Sequence, residues 1–219
     1  SAAMPLKLFG YFRSSAAYRV RIALNLKGLD CDLESIHLSK DGGKQFESAY
    51  RSINPQALVP TMQDGSTYLS QSLAIIEYLE ETYPKTPLLP NSPIARARVR
   101  ALALTVACDI HPLNNLRVLK YLSDDLAVED GDRTNWYKHW ISAGLSAVEA
   151  MLVGHPDTGQ FCHGDNPGLA DACLVPQIFN ASRFDCDLTG YPTILRINRK
   201  CLELDAFRSA APENQPDAE

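Results

Sequence analysis

The sequence predicts a small α/β domain joined to a larger all-α domain, on three observations. Strand and helix signals alternate at the start of the chain. Four prolines then crowd together at Pro84, Pro87, Pro90 and Pro93. Beyond them strand signals nearly vanish while helical periodicity continues. The boundaries that follow are residues 4–84 for the first domain and 93–212 for the second. At 219 residues the chain is long enough to bury a sizeable core.

Leu6 and Leu8 begin a short strand inside the apolar stretch 6–11. Ser14 and Ser15 follow, and Val20, Ala23, Leu24 and Lys27 then fall on helical spacing as far as Gly28, a helix stop. Residues 31–38 read as a second strand, Asp41-Gly42-Gly43 as a loop and 44–51 as a short helix. Residues 59–63 and 67–69 flank Asp64-Gly65 as a hairpin. Ser72 opens a helix over 73–83, which Pro84 ends. This order, βαβ and then ββα, fits a thioredoxin-like domain. Downstream, helices are expected over 94–108, 113–122, 133–152, 169–181 and 193–207. The tail 210–219 is polar and contains proline, and reads as a loosely held end. Ser1-Ala2-Ala3 ahead of Met4 reads as an added leader outside the fold.

Hydrophobic residues at 45% and charged residues at 21% are ordinary for a globular protein. A net charge of −5 and the lack of a basic cluster interleaved with aromatics argue against nucleic acid as a partner. With no membrane-length apolar run and no signal-peptide pattern, the expectation is a soluble cytoplasmic protein with no membrane partner. The six cysteines are scattered without a CxxC pair, which suits buried reduced thiols better than a disulfide framework or a metal site.

Three stretches carry chemistry. Where Ser14-Ser15 meets the start of a helix, hydroxyls, backbone N–H groups and a positive dipole end converge. That is an anion site of a kind that suits a thiolate, although a plain N-cap is the more economical reading of these residues alone. Gln71-Ser72 opens the next helix in the same way. In His111-Pro112-Leu113-Asn114-Asn115-Leu116-Arg117, His111 and Asn115 are four apart and share a face if the helix continues past Pro112. Asp171, three residues after Gly168, reads as a structural helix cap.

The stretches FRSSAAYRVRIALNLKG (12–28), NPQALVP (54–60), QSLAIIEYLEETYP (71–84), DIHPLNNLRVL (109–119), LADACLVPQ (169–177) and RFDCDLTGYPT (183–193) resemble the zeta class of the cytosolic glutathione transferases. The resemblance runs in register from about Leu6 to Pro216. It implies the cytosolic glutathione transferase fold, with an α/β thioredoxin-like N-terminal domain and an all-α C-terminal domain. It also implies glutathione as cofactor, a small dicarboxylate as substrate, and a homodimer.

Residue by residue, the resemblance assigns the thiolate to Ser14 and Ser15, with Arg13 beside them as the third catalytic residue. It makes Val59-Pro60 a cis-proline turn against the cysteinyl part of glutathione. Gln71-Ser72 receives the γ-glutamyl carboxylate, Gln45 meets the glycyl end, and His111 and Asn115 face the cleft. Arg13, Arg117 and Arg183 are implied to hold the carboxylates of the substrate, a task that suits bidentate arginine. The class pattern often reads Ser-Ser-Cys, and Ala16 stands in the third place here. A mechanism needing a protein cysteine there is therefore excluded.

The implied reaction is cis–trans isomerisation of maleylacetoacetate to fumarylacetoacetate, in tyrosine and phenylalanine catabolism. The alternatives are the same chemistry on maleylpyruvate, conjugation of haloacids, and a non-catalytic interaction module.

Overall fold

The strand Leu6–Gly10 (β1) is buried at Leu6, Leu8 and Phe9 and half-buried at Lys7 and Gly10, the pattern of a strand with neighbours on both sides. In the computed structural model, which describes residues 4–219, β1 is central. Ser1-Ala2-Ala3 lies outside the described residues. The strand Cys31–Ser35 (β2) pairs parallel to β1, and Thr61–Asp64 (β3) pairs antiparallel to its other side. The strand Thr67–Ser70 (β4) forms a hairpin with β3, so the order is β2-β1-β3-β4.

Helix α1 (Ser15–Leu26) links β1 to β2, as a parallel pair requires. Helix α2 is the single turn Ser48–Arg51, and α3 (Ser72–Thr82) follows β4. This is the thioredoxin-like arrangement. Ala17, Val20, Ile22 and Ala23 of α1 and Ile75 and Leu79 of α3 have no exposed surface and form its core.

The chain divides into two compact units, residues 1–88 with 202–219, and residues 89–201. The last eighteen residues thus cluster with the first unit and not with the helical one, to which the sequence reading gave residues as far as 212. Nor is 210–219 a loose end. Phe207, Ala210 and Ala211 are buried, and Asp217 and Glu219 of the tail are used in hydrogen bonds. Arg21, itself buried, donates from Nε to the Ala210 carbonyl at 3.0 Å. Asp217 accepts from the Ser35 hydroxyl at 2.8 Å, and Glu219 meets His37 Nε2 at 2.9 Å. Burial brings the Arg21 guanidinium down to about 10, which leaves it protonated at neutral pH.

The second unit holds α4 (Pro93–Asp109), α5 (Leu116–Asp124), α6 (Asp130–Leu152), α7 (Leu169–Arg183) and α8 (Pro192–Leu202). Residues 169–178 are buried without a break, which makes α7 its core helix. The expected helix 193–207 divides into α8 and a short α9 (Asp205–Arg208) in the first unit. The carbonyls at the break are taken by Arg208, whose Nη1 donates to Leu202 O at 3.0 Å and Glu203 O at 2.6 Å.

Helix α6 packs tightly at Gly144. A Cβ there would lie 2.1 Å from Ile110 Cγ1 and 2.3 Å from its Cδ1, and Ile110 is fully buried. Gly144→Ala is expected to destabilise by about 1–3 kcal/mol through overpacking. Adding Ile110→Val should return part of that loss, and the coupling is read from denaturant midpoints in a double-mutant cycle.

Candidate active site

Strand register gathers the expected residues of the first unit at one end of the sheet. Gly10, the last residue of β1, faces Ser35 of β2, and Phe9 faces Thr61 of β3, which in turn faces Ser70 of β4. The turn to Ser14, the loop carrying Gln45, the Val59–Pro60 bond and the Gln71-Ser72 helix start all leave from that end.

Ser14 caps α1. Its N–H closes a turn onto Tyr11 O at 2.9 Å, and its Oγ accepts from Ala17 N–H at 3.1 Å. The cap uses a lone pair of the hydroxyl oxygen and leaves its hydrogen to donate, so capping and anion binding are compatible. The first turn of α1 holds no acidic side chain to oppose an anion. Ser15 is buried at 4% exposure, which makes Ser14 the more accessible of the two hydroxyls. Arg13 is exposed, with its guanidinium 4.9 Å from the Phe12 ring centroid.

The Val59–Pro60 bond is cis. The carbonyl before it, on Leu58, is held by the Tyr50 hydroxyl and by Asn54 Nδ2 at 3.0 Å. Tyr50 and Asn54 also meet Thr61 Oγ1, at 2.8 and 3.1 Å. Burial raises the Tyr50 phenol above its ordinary value, which keeps it a donor. Among the described residues no backbone group engages the N–H or C=O of Val59, so both stand available to an extended peptide.

Gln71 has φ 72° and ψ 118°, an unfavourable conformation for a side-chain-bearing residue, and it occupies the N-cap of α3 without a side-chain cap bond. Ser72 is therefore the first helical residue and not the cap. Its buried hydroxyl accepts from Arg19 Nη1 at 3.1 Å. The N–H groups at the start of α3 remain without a side-chain acceptor, as a carboxylate site needs. Sequence reasoning missed Arg19. The available signal was Arg19 and Arg21 interleaved with Tyr18, Val20 and Ile22 on α1.

Gln45 is buried, and its Nε2 donates to Leu38 O at 3.1 Å. Its Oε1 has no hydrogen-bond partner among the described residues. Gln45 thus offers an acceptor, which suits an amide N–H better than a carboxylate. Gly43, at φ 102°, makes room for it, since a Cβ there would lie 2.7 Å from Gln45 Oε1.

In the second unit the helix does not continue past Pro112. Helix α4 stops at Asp109, residues 111–114 form a 3₁₀ turn, and Asn115 is extended at φ −62°, ψ 149° as the N-cap of α5. His111 and Asn115 therefore do not share an α-helical face. Proline has no N–H to continue the helical ladder, so the chain changes course. Asn115 makes no side-chain cap bond, and Arg117 is exposed on α5.

Tyr137 links this segment to Arg183. Asn114 Nδ2 donates to Tyr137 O at 3.1 Å, and Phe184 stacks on the Tyr137 ring at 4.1 Å between centroids. The Arg183 guanidinium lies 5.6 Å from the Phe184 ring centroid. Burial raises the Tyr137 phenol, against the pull of Arg183.

Comparison with known proteins identifies the family. Residues 8–87 match the family model described as glutathione S-transferase, N-terminal domain. A probable maleylacetoacetate isomerase of Vibrio cholerae is 51% identical over 215 residues, covering 98% of this chain and 99% of that protein. A solved maleylpyruvate isomerase, described as a bacterial zeta-class glutathione S-transferase in its holo form, superposes with a TM-score of 0.94 at 48% identity, covering 97% of this chain and 100% of that one. A maleylacetoacetate isomerase of Anaeromyxobacter dehalogenans, solved with dicarboxyethyl glutathione and citrate in its active site, gives 0.87 at 40% identity over the whole of both chains. The chain belongs to the zeta class of the glutathione transferases.

Proposed function

We propose that this chain isomerises maleylacetoacetate to fumarylacetoacetate, with glutathione as a cofactor that is returned unchanged. The observation that carries the reading is the convergence, at one end of the sheet, of the capped α1 start at Ser14, the free backbone edge of Val59 and the uncapped start of α3. Glutathione is an extended peptide with one thiol and two carboxylates, and this set fits it. The orphaned buried Gln45 Oε1 is a further acceptor, suited to its glycyl N–H.

Bound glutathione supplies a sulfur nucleophile that adds reversibly to the conjugated cis double bond, so that the former double bond can rotate before the sulfur leaves. The chain's residues prepare that step. Ser14, with the N–H groups at the start of α1, donates to the sulfur and favours thiolate over thiol. One lowered pKa unit is about 1.4 kcal/mol of thiolate preference. Val59 aligns the cysteinyl backbone, and the start of α3 takes the γ-glutamyl carboxylate. The zeta-class resemblance assigns further glutathione contacts to His111 and Asn115, and the orientation of the substrate carboxylates to Arg13, Arg117 and Arg183. The dicarboxyethyl glutathione held by the Anaeromyxobacter relative is the kind of molecule that sulfur addition to a four-carbon unsaturated diacid yields, which supports this chemistry.

The test is an absorbance assay with maleylacetoacetate, with and without glutathione, beside one with maleylpyruvate. The second reading, maleylpyruvate isomerisation, is favoured by the structural match to a protein of that name, and a clear preference for maleylpyruvate would establish it. Steady loss of free glutathione with haloacids would point to conjugation, and absence of glutathione retention on an affinity resin to a non-catalytic module. The proposal includes a cytoplasmic homodimer acting in tyrosine catabolism, and light scattering at twice the chain mass checks the assembly.

Ala16 leaves the sulfur chemistry to the cofactor. Of the protein thiols, Cys162, Cys173 and Cys201 are buried, and burial pushes Cys31 up to about 12. Brief alkylation with iodoacetamide near neutral pH, with the reagent removed before glutathione is added, is expected to leave turnover within about twofold. A large loss of rate would assign a protein thiol to the reaction.

A further inference from the structure

The Tyr11–Ser14 turn is gripped from the far end of the chain. Phe12, its first central residue, has both backbone groups engaged: its N–H donates to Asp217 Oδ2 at 3.1 Å, and its carbonyl accepts from Arg21 Nη2 at 3.1 Å. Arg21 in turn holds Ala210 O through Nε at 3.0 Å. The same Asp217 oxygen accepts from Ser35 Oγ at 2.8 Å, so one carboxylate ties the end of β2 to the turn that follows β1. Gln215 braces the tail internally, its Nε2 donating to Ser209 O and Ala211 O at 2.9 Å each. The two peptide planes that flank Phe12 fix the path of the backbone into Arg13 and Ser14. Both planes are therefore set by residues 210–217 and by the guanidinium that docks them.

We infer that Asp217 is a positioning residue for Ser14. The C-terminal strap, relayed through Arg21, holds the turn so that the Ser14 hydroxyl sits where the sulfur needs its donor. This rests on the glutathione-site reading above. Asp217 reaches Ser14 only through the Phe12 backbone, its other partner being the Ser35 hydroxyl at the end of β2. Removing its carboxylate leaves the turn held from one side, and a small displacement of a catalytic donor lowers rate far more than affinity. The contacts assigned to Val59 and to the start of α3 do not depend on it.

The experiment measures turnover, the KM for glutathione, and the ultraviolet absorbance of the bound thiolate against pH, in Asp217→Ala, Asp217→Asn and Ser14→Ala. Asp217→Ala is expected to lower kcat about tenfold. It should raise the pH of thiolate formation by about one unit, with KM within about twofold. Asp217→Asn keeps an acceptor for the Phe12 N–H and is expected to recover most of the loss. If Asp217→Ala does not fold, Asp217→Glu supplies the same comparison, with a displaced carboxylate and a smaller shift in the same direction. A wild-type thiolate profile in Asp217→Ala beside a shifted one in Ser14→Ala overturns the inference alone. A wild-type profile in Ser14→Ala overturns the site reading and this inference with it. Equal loss in the Asn and Ala variants, with the thermal midpoint lowered and the thiolate profile unmoved, reduces the strap to a structural role.

Discussion

Ser14→Ala is expected to lower isomerisation by about 10- to 150-fold at neutral pH, because the lost donor faces an ionised acceptor and such hydrogen bonds contribute about 1.5–3 kcal/mol. The KM for glutathione should move little, since the peptide part of the ligand is gripped at Val59 and at the start of α3. The substitution also removes the cap on Ala17 N–H, which costs about 1 kcal/mol of stability. For a chain of this length that lowers the melting temperature by about 2–4 °C. The two roles of Ser14 separate in the pH profile. Without the hydroxyl the bound thiol ionises at higher pH, so part of the lost rate returns near pH 9, whereas a lost cap lowers stability without moving the profile. Ser14→Thr keeps both functions of the hydroxyl and should retain most of the rate. A variant that melts earlier yet turns over normally would leave Ser14 as a cap and nothing more.

The first unit was legible because its signals are local. Alternation, the Asp64-Gly65 turn and the prolines each act within a few residues, and strand register then places separate turns at one end of the sheet. What the sequence hid lies at long range. Arg19 and Arg21 look like solvated positions on a helix, but their partners, Ser72 and Ala210, are 53 and 189 residues away. The tail reads as loose because it is polar and contains proline. Asp217 instead meets a backbone N–H 205 residues distant. The His111–Asn115 spacing failed for a local reason: it assumed one helical period through a proline that ends the helix. Gln45 falls in a segment that reads as a short helix, and only the structure shows that its donor is already used and its acceptor is free.

Asp171 carries the largest expected effect on stability. Its buried carboxylate accepts from Cys162 N–H at 3.0 Å and Gly168 N–H at 2.9 Å, joining the start of α7 to the preceding loop. Gly168 has no side chain to return a cap, so Asp171 closes this helix end alone. Asp171→Ala leaves two buried N–H groups unsatisfied, at about 1–3 kcal/mol each, and is expected to lower stability by about 3–5 kcal/mol. Turnover per folded molecule should not change, because the proposed site does not include Asp171.

Asp171→Asn tests the electrostatics. Burial raises the Asp171 carboxyl above its ordinary 3.8, against the pull of its N–H donors. The folded state then binds more protons than the unfolded state between 3.8 and the raised value, so this group's contribution to stability falls as pH rises through that window and is flat above it. The asparagine variant lacks that titration. Its deficit relative to the parent is therefore expected to be widest in acid and to narrow toward neutral pH, as read from denaturant midpoints across the range. A deficit that widened with rising pH would mean that the carboxylate's hydrogen bonds outweigh its desolvation in the core of α7.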